Sequence, residues 1–329
     1  IDRGLVGSEM CIRDSELSNS LLAAAMGLSK WQTPNEVLKN CHDASKGIDI
    51  QLEVTNIQEV GNYLEKPLID LAAKRVGLLQ YFDEINKPVR HKNVALNGSL
   101  DAVGVADNII ITNDMQKDGF YIPEGKPVIC NGKGVIEIKV TSARPEEVPL
   151  DSRGVIQCKG LMACTEFNWC MLCILYGTDF RIFFYQRDEK WEKDVLVPFV
   201  KDFDSRIKNL DYYSPFNTND AKNIYPLDDD ESIELPDNAA DLIEIVESSE
   251  QSIEKLNNSI EQAKTSLMAM LKSARIGYTK DYAVSWKTIN YKAQPERTKV
   301  MPAKEAYTQR RFTIKKINEK TESKKTSTR

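Results

Sequence analysis

The sequence predicts a mixed α/β chain, and three observations predict it. Apolar residues at 57, 60, 64, 68, 71, 72 and 76 form a helical stripe, residues 134–140 form a β-branched run, and strand-like and helical segments alternate around them. With 329 residues, 41% hydrophobic and 28% charged, the chain holds enough apolar material for one large domain or two modest ones. Its longest apolar runs, 21–28 and 169–176, fall far short of the roughly 20 residues that a membrane span requires, so no membrane partner is expected.

Residues 1–15 read IDRGLVGSEMCIRDS, with no periodicity and no apolar stretch of the kind a signal peptide needs. They are similar to translated adapter sequence and are set aside from the fold together with Cys11 and Arg13; the authentic N-terminus is expected to differ. A short apolar helix is predicted over 17–27. Thr33, Pro34 and Glu36 spell a capping box, with threonine as N-cap, proline first in the helix and glutamate at N3. The stripe over 57–76 is the next helix. Residues 89–105 alternate as strands, with Asn97-Gly98 as a two-residue turn, and 107–111 and 127–130 are further strands divided by a polar loop. Residues 134–140 form a strand because Val135, Ile136, Ile138 and Val140 favour a pleated surface. A connector containing Pro145 leads to a helix over 155–167, strands over 170–176 and 180–186, and a helix over 199–209. Residues 239–274 form a long helix in which Ile253, Leu256, Ile260, Ala263, Leu267 and Met270 alternate by three and four, a heptad seam that packs on its own body or on another subunit. Residues 278–314, rich in Tyr, Thr and Lys, read as a basic β-hairpin or small sheet.

Charge is segregated. Residues 226–271 hold 12 acidic and 2 basic side chains, and residues 272–329 hold 16 basic and 5 acidic ones, in a protein of net charge −5. A basic C-terminal segment is suited to steering a polyanion; at 315–329 alone it reads as a solubilising tail. The seven cysteines have no disulfide-scaffold spacing. Cys158, Cys164, Cys170 and Cys173, placed at about 100° per residue on a helix, do not share a face, so no iron–sulfur cluster is expected, while Cys170 and Cys173 remain candidates to share a metal if other ligands converge.

The chemistry centres on Glu137 and Lys139. Of three Glu-x-Lys triplets in the chain, only this one lies inside an apolar strand, where both side chains point to the same face. Such a pair is either a surface ion pair or a site. Asp101 interrupts another strand-like run, and two carboxylates with a backbone carbonyl make an oxygen-rich corner suited to Mg²⁺, which binds few carboxylates and keeps several waters. A lysine beside it is placed to position or help deprotonate an attacking water.

Further motifs accompany these residues. Gly61-Asn62-Tyr63-Leu64-Glu65 is a Gly-x-x-x-Glu helix ahead of the strands, and Gln157 opens the helix after the Glu-x-Lys strand. Ser20 to Leu38, Phe203-Asp204-Ser205-Arg206, Val284-Ser285-Trp286-Lys287 and Arg310-Arg311-Phe312 complete the set. As a set they resemble the PD-(D/E)xK nucleases, and within them the lambda-type phage exonucleases, also called YqaJ-like viral recombinases. The resemblance runs from about residue 16 to residue 316.

This resemblance implies a restriction-endonuclease-like core with a central mixed sheet flanked by helices over 16–217. An acidic linker over 218–237, a long helix over 238–275, a basic β segment over 276–316 and a disordered tail over 317–329 would follow. It implies a 5′-to-3′ exonuclease of duplex DNA, dependent on Mg²⁺ with Mn²⁺ able to substitute, serving phage recombination and replication in the bacterial cytoplasm. Asp101, Glu137 and the Ile138 carbonyl would hold metal, Lys139 would be the catalytic lysine, and Glu65 would support a second metal. Gln157 would orient Lys139 or the scissile phosphate, and Ser20 would lie near a 5′ phosphate. Implied partners are DNA ends, a single-strand annealing protein and other copies of the chain, as a ring-like trimer. Two departures stand out: Asp101 and Glu137 are 36 positions apart, which needs an inserted hairpin or loop, and Lys159 stands where a second glutamine is expected. Trp31, Tyr278 and Trp286 are either core residues or base-stacking surfaces. The alternatives are a RecB-like or CRISPR-associated nuclease of single strands or flaps, and a catalytically inactive DNA-binding protein.

Overall fold

The computed structural model describes residues 15–48, 55–83, 85 and 87–289, so most of the adapter-like segment, Arg13 and the motif Arg310-Arg311-Phe312 lie outside the described residues. The chain divides into two compact units, one ending at Ile224 and the other beginning at Tyr225. In the first unit, β1 (Leu17–Ser18), α1 (Asn19–Ala25), α2 (Pro34–Ser45) and α3 (Asn56–Val76) precede β2 (Gln80–Phe82), β3 (Val89–Arg90), β4 (Leu96–Gly98) and β5 (Ala102–Ile111). They are followed by β6 (Phe120–Tyr121), β7 (Val128–Thr141), α4 (Val155–Thr165), β8 (Trp169–Tyr176), β9 (Asp179–Gln186), α5 (Val197–Asn209) and α6 (Thr218–Ile224).

The principal sheet is mixed, with strand order β2-β5-β7-β8-β9-β6. β7 and β8 run parallel, while β5–β7 and β8–β9 are antiparallel. Parallel neighbours need a crossover, and α4 supplies it. Side-chain alternation along each strand then sorts residues onto two apolar faces. Ile136, Ile138, Met171 and Phe184 pack with Leu68, Ile69, Ala72 and Val76 of α3. Val135, Cys170, Leu172 and Phe183 pack with Cys158, Leu161 and Met162 of α4. A third cluster joins α1, α2 and α5 through Leu22, Val37, Leu38, Val200 and Phe203.

Local sequence explains the helix ends. Thr33 caps α2 as expected: its Oγ1 accepts from Glu36 N at 3.2 Å, and its own N donates to Glu36 Oε2 at 2.9 Å. Thr55 and Gln58 form the same reciprocal box at the start of α3, which ends at Gly77 in the left-handed conformation at φ +76°.

Three local expectations are corrected. The segment starting at residue 17 begins as strand, because Leu17 and Ser18 pair with Leu96 and Asn97, and its helix occupies only Asn19–Ala25. Asn97-Gly98 is not a turn; it lies within β4, which pairs with both β1 and β3. Gly98 is glycine for close packing, since a Cβ there would sit 2.8 Å from Asn19 Nδ2 and from Leu161 Cδ2. The acidic linker begins later than residue 218, because residues 218–224 form α6. Asp220 on this helix is buried and accepts from Thr33 Oγ1 at 2.7 Å, Asn35 Nδ2 at 2.8 Å and Phe216 N at 3.1 Å.

In the second unit, α7 (Ala239–Leu271) precedes a hairpin of β10 (Ile276–Tyr278) and β11 (Ala283–Ser285), with Gly277 opposite Val284. The long helix and the start of the basic β segment thus match expectation, while residues 290–316 lie outside the described residues. No helix among the described residues is long and apolar enough to cross a membrane.

Candidate functional site

β7 carries Glu137 and Lys139 on the face that α4 covers, the face of Val135, because all three are odd-numbered positions of one strand. Asp101 stands immediately before β5. The antiparallel register pairs Ala102 with Ile136, so the step before it sets Asp101 across from Glu137. The 36-position separation is closed in this way, and the intervening chain forms a 3₁₀ turn (Asn113–Asp118) and β6, which joins the sheet beside β9. Asp101 Oδ2 accepts the Ile138 N–H at 2.8 Å, and Lys139 Nζ lies 2.5 Å from Glu137 Oε1.

Five of the sequence-picked residues line one cavity of about 300 Å³: Ser20, Asp101, Glu137, Lys139 and Gln157. α1 brings Ser20, whose hydroxyl lies 2.9 Å from Ser18 Oγ, and the first turn of α4 brings Gln157. Lys159, two positions on, leaves this cavity. Its ammonium pairs with Glu124 at 2.9 Å and sits 5.8 Å from the centre of the Trp191 ring. Trp31 is almost fully exposed, Trp286 and Tyr278 are exposed, and none of the three is a core residue.

The connector between β7 and α4 is clamped. Arg153 grips Glu146 with two nitrogens at 2.8 and 3.1 Å and reaches Thr141 Oγ1 at 3.2 Å. Tyr176 Oη also donates to Glu146 at 3.1 Å, and Arg181 donates to the Glu146 carbonyl at 2.9 Å. Gly154 then opens α4 at φ +104°, a conformation that L side chains rarely adopt; a Cβ there would lie 2.8 Å from Leu172 Cδ1 and 3.4 Å from Lys139 Cε.

Asn19 is the residue that sequence reasoning missed. It lines the same cavity and is buried, with Nδ2 donating to the Asn97 carbonyl at 3.0 Å and Oδ1 buried without a hydrogen-bond partner. Gly160 of α4 makes room for it, since a Cβ there would fall 1.8 Å from Asn19 Oδ1. An asparagine ahead of an apolar run reads as a helix cap, so nothing in the sequence marks it as a tie between α1, β4 and α4. Gly160→Ala is expected to destabilise the protein by about 1–3 kcal/mol in urea or thermal unfolding, opposite in sign to the usual gain of about 1 kcal/mol for this change inside a helix.

The electrostatics are those of crowded carboxylates. Burial, with the Asp101 and Glu65 carboxylates nearby, pushes Glu137 up to about 7 against the pull of Lys139. Asp101 is raised by burial, partly offset by Lys139 and the Ile138 N–H. Glu65 is raised by burial and then by Asp101. Burial pulls the Lys139 ammonium down, but Glu137 and Asp101 outweigh it and push it up to about 12.

These residues fit a partly hydrated divalent cation. Glu137 is 1% exposed and its Oε2 is buried with no hydrogen-bond partner, so the site carries an orphaned oxygen donor among three carboxylates and one ammonium. Among the described residues no three His, Cys, Asp or Glu side chains gather closely enough to form a complete metal-holding group. At Ile138, the feature defined here is its N–H bond to Asp101.

The cysteines are corrected in geometry. Cys158 and Cys164 lie on α4, whereas Cys170 and Cys173 lie on β8 and pack on opposite faces of the sheet. Cys170 and Cys173 consequently cannot share a metal. Burial raises both thiols well above their ordinary range, which disfavours the thiolate that a metal needs.

No family model and no curated protein matches the sequence. Among solved structures, the chain is similar to an alkaline exonuclease from Laribacter hongkongensis, with 15% identity, 61% of this chain and 95% of that one covered, and a TM-score of 0.42. The structure of that exonuclease in complex with dAMP gives 14% identity, coverage of 61% and 93%, and a TM-score of 0.42. A phage-related exonuclease from Haemophilus somnus 129PT gives 13% identity, coverage of 59% and 96%, and a TM-score of 0.39. The solved structures similar to this chain thus include alkaline and phage-related exonucleases.

Proposed function

We propose that the chain is a metal-dependent deoxyribonuclease that degrades duplex DNA from an end, 5′ to 3′. One observation carries the reading: Asp101, Glu137, Lys139, Gln157 and Ser20, from four separate stretches of sequence, line one cavity in which a carboxylate oxygen is buried and unpartnered.

A divalent cation bound at the Asp101 and Glu137 oxygens would lower the pKa of a water and neutralise charge developing on a phosphate. Lys139 stays protonated at neutral pH, so it serves as a fixed positive donor that orients the attacking oxygen or steadies the phosphate oxyanion. Gln157 supplies neutral hydrogen-bonding groups to the same cavity, suited to holding a phosphate oxygen. The Ser18 and Ser20 hydroxyls form a short polar rim at the start of α1 that suits a terminal phosphate. A bacterial cytoplasm, with a single-strand annealing protein as partner, is the setting that this activity suits.

Digestion of linear duplex DNA with 5′-phosphate or 5′-hydroxyl ends, in Mg²⁺ or EDTA, tests the proposal. Mg²⁺-dependent release of mononucleotides from the phosphorylated end, lost in Asp101→Asn, is the expected result. Equal DNA binding with and without chelator and no turnover in Mg²⁺ or Mn²⁺ would show a binding protein instead.

A further inference from the structure

α7 presents a complete heptad seam to solvent. Position a is held by Val246, Ile253, Ile260 and Leu267, and position d by Ser249, Leu256, Ala263 and Met270. The large side chains of this seam are between 40% and 76% exposed. Such a surface on a 33-residue helix needs an occupant.

We propose that the occupant is α7 of a second copy, running antiparallel about a two-fold axis near Asn257. Layer volumes point to this arrangement. Antiparallel pairing sets Val246 against the partner's Met270, Ser249 against the partner's Leu267, Ile253 against the partner's Ala263, and Leu256 against the partner's Ile260. Each small side chain meets a large one. Parallel pairing would stack Ser249 on the partner's Ser249 and Ala263 on the partner's Ala263, leaving gaps that a close-packed interface does not tolerate.

The flanks agree with the layers. Glu250, Asn257 and Lys264 occupy the e positions, and the same register brings Glu250 to the partner's Lys264, Lys264 to the partner's Glu250, and Asn257 to the partner's Asn257. The remaining acidic residues of this helix, Asp241, Glu244, Glu247, Glu254 and Glu261, all fall at b, c or f, away from the seam. Ser252, Ser259 and Ser266 occupy the g positions. Their hydroxyls already donate to the carbonyls of Ser248, Lys255 and Gln262 at 2.8, 2.9 and 3.0 Å, so covering them strands no donor. The interface is isologous, as a two-fold pair requires, and differs from the three-fold ring that the resemblance implies.

Sedimentation equilibrium of the full chain tests the pairing. A two-chain mass is expected, falling to one chain in Leu256→Glu. Glu250→Lys should weaken association about tenfold by turning two attractions into two repulsions, and the double change Glu250→Lys with Lys264→Glu should restore it. A one-chain or three-chain mass for the unaltered protein, or a two-chain mass that survives Leu256→Glu, overturns the pairing. Failure of the double change to restore association overturns the antiparallel register.

Discussion

Lys139→Ala is expected to lower the rate of DNA hydrolysis on the order of 100- to 1,000-fold while leaving DNA binding largely intact. The ammonium pairs with Glu137, and the Glu137 and Asp101 carboxylates, outweighing the opposing effect of burial, keep it charged across the working pH range. Removing it takes away a preorganised donor that costs nothing to reorient at the moment of reaction. Lys139→Arg should not restore activity. The space behind the lysine stem is narrow, with Gly154 close to Lys139 Cε, and a planar guanidinium cannot take the same point contact with Glu137 Oε1. Single-turnover release of labelled nucleotide from a linear duplex, beside filter binding, separates the two effects. Activity within threefold of the unaltered protein would remove Lys139 from the chemistry.

Glu137→Gln is expected to act on stability and activity in opposite directions. Burial of the Glu137 carboxyl is costly, as its rise to about 7 shows, so above that pH the fold bears an ionised group that it disfavours. The neutral amide removes this cost, and the metal-free variant should melt higher at pH 8 than the unaltered protein. The same change removes an anionic oxygen donor. A ligand present at about 100 times its Kd stabilises the unaltered protein by about 2.7 kcal/mol, and that Mg²⁺-induced rise in Tm should shrink or vanish in Glu137→Gln together with hydrolysis. Scanning calorimetry with Mg²⁺ and with EDTA measures both; an undiminished Mg²⁺ shift in the variant would place the cation elsewhere.

Legibility in the sequence followed the range of the interactions concerned. The capping box at Thr33, the stripe on α3 and the strands around Glu137 rest on contacts within four residues or on simple alternation, and they were readable. The cavity was readable because its chemistry-bearing side chains break the patterns around them: Asp101 within an apolar run, and Glu137 and Lys139 within a β-branched strand. Asn19 breaks no pattern, and its role depends on two glycines 79 and 141 positions away. Asn97-Gly98 carries a strong short-range turn signal, but pairing of β4 with strands on both sides overrode it. A single helical frame across 158–173 misplaces the cysteines for a related reason, because the chain turns from helix to strand at residues 166–168.

Asp220 sets where the first unit can be cut. A shortened chain ending at residue 217 would lose the carboxylate that receives Thr33 and Asn35, leaving the α2 cap and the Asn35 amide, which also holds the Tyr213 carbonyl at 3.1 Å, short of an acceptor. A chain ending at Ile224 keeps that acceptor and the helix that carries it. Limited proteolysis should therefore spare the segment up to residue 224 and nick the acidic stretch beyond it, so the fragment worth preparing is seven residues longer than charge composition alone would suggest.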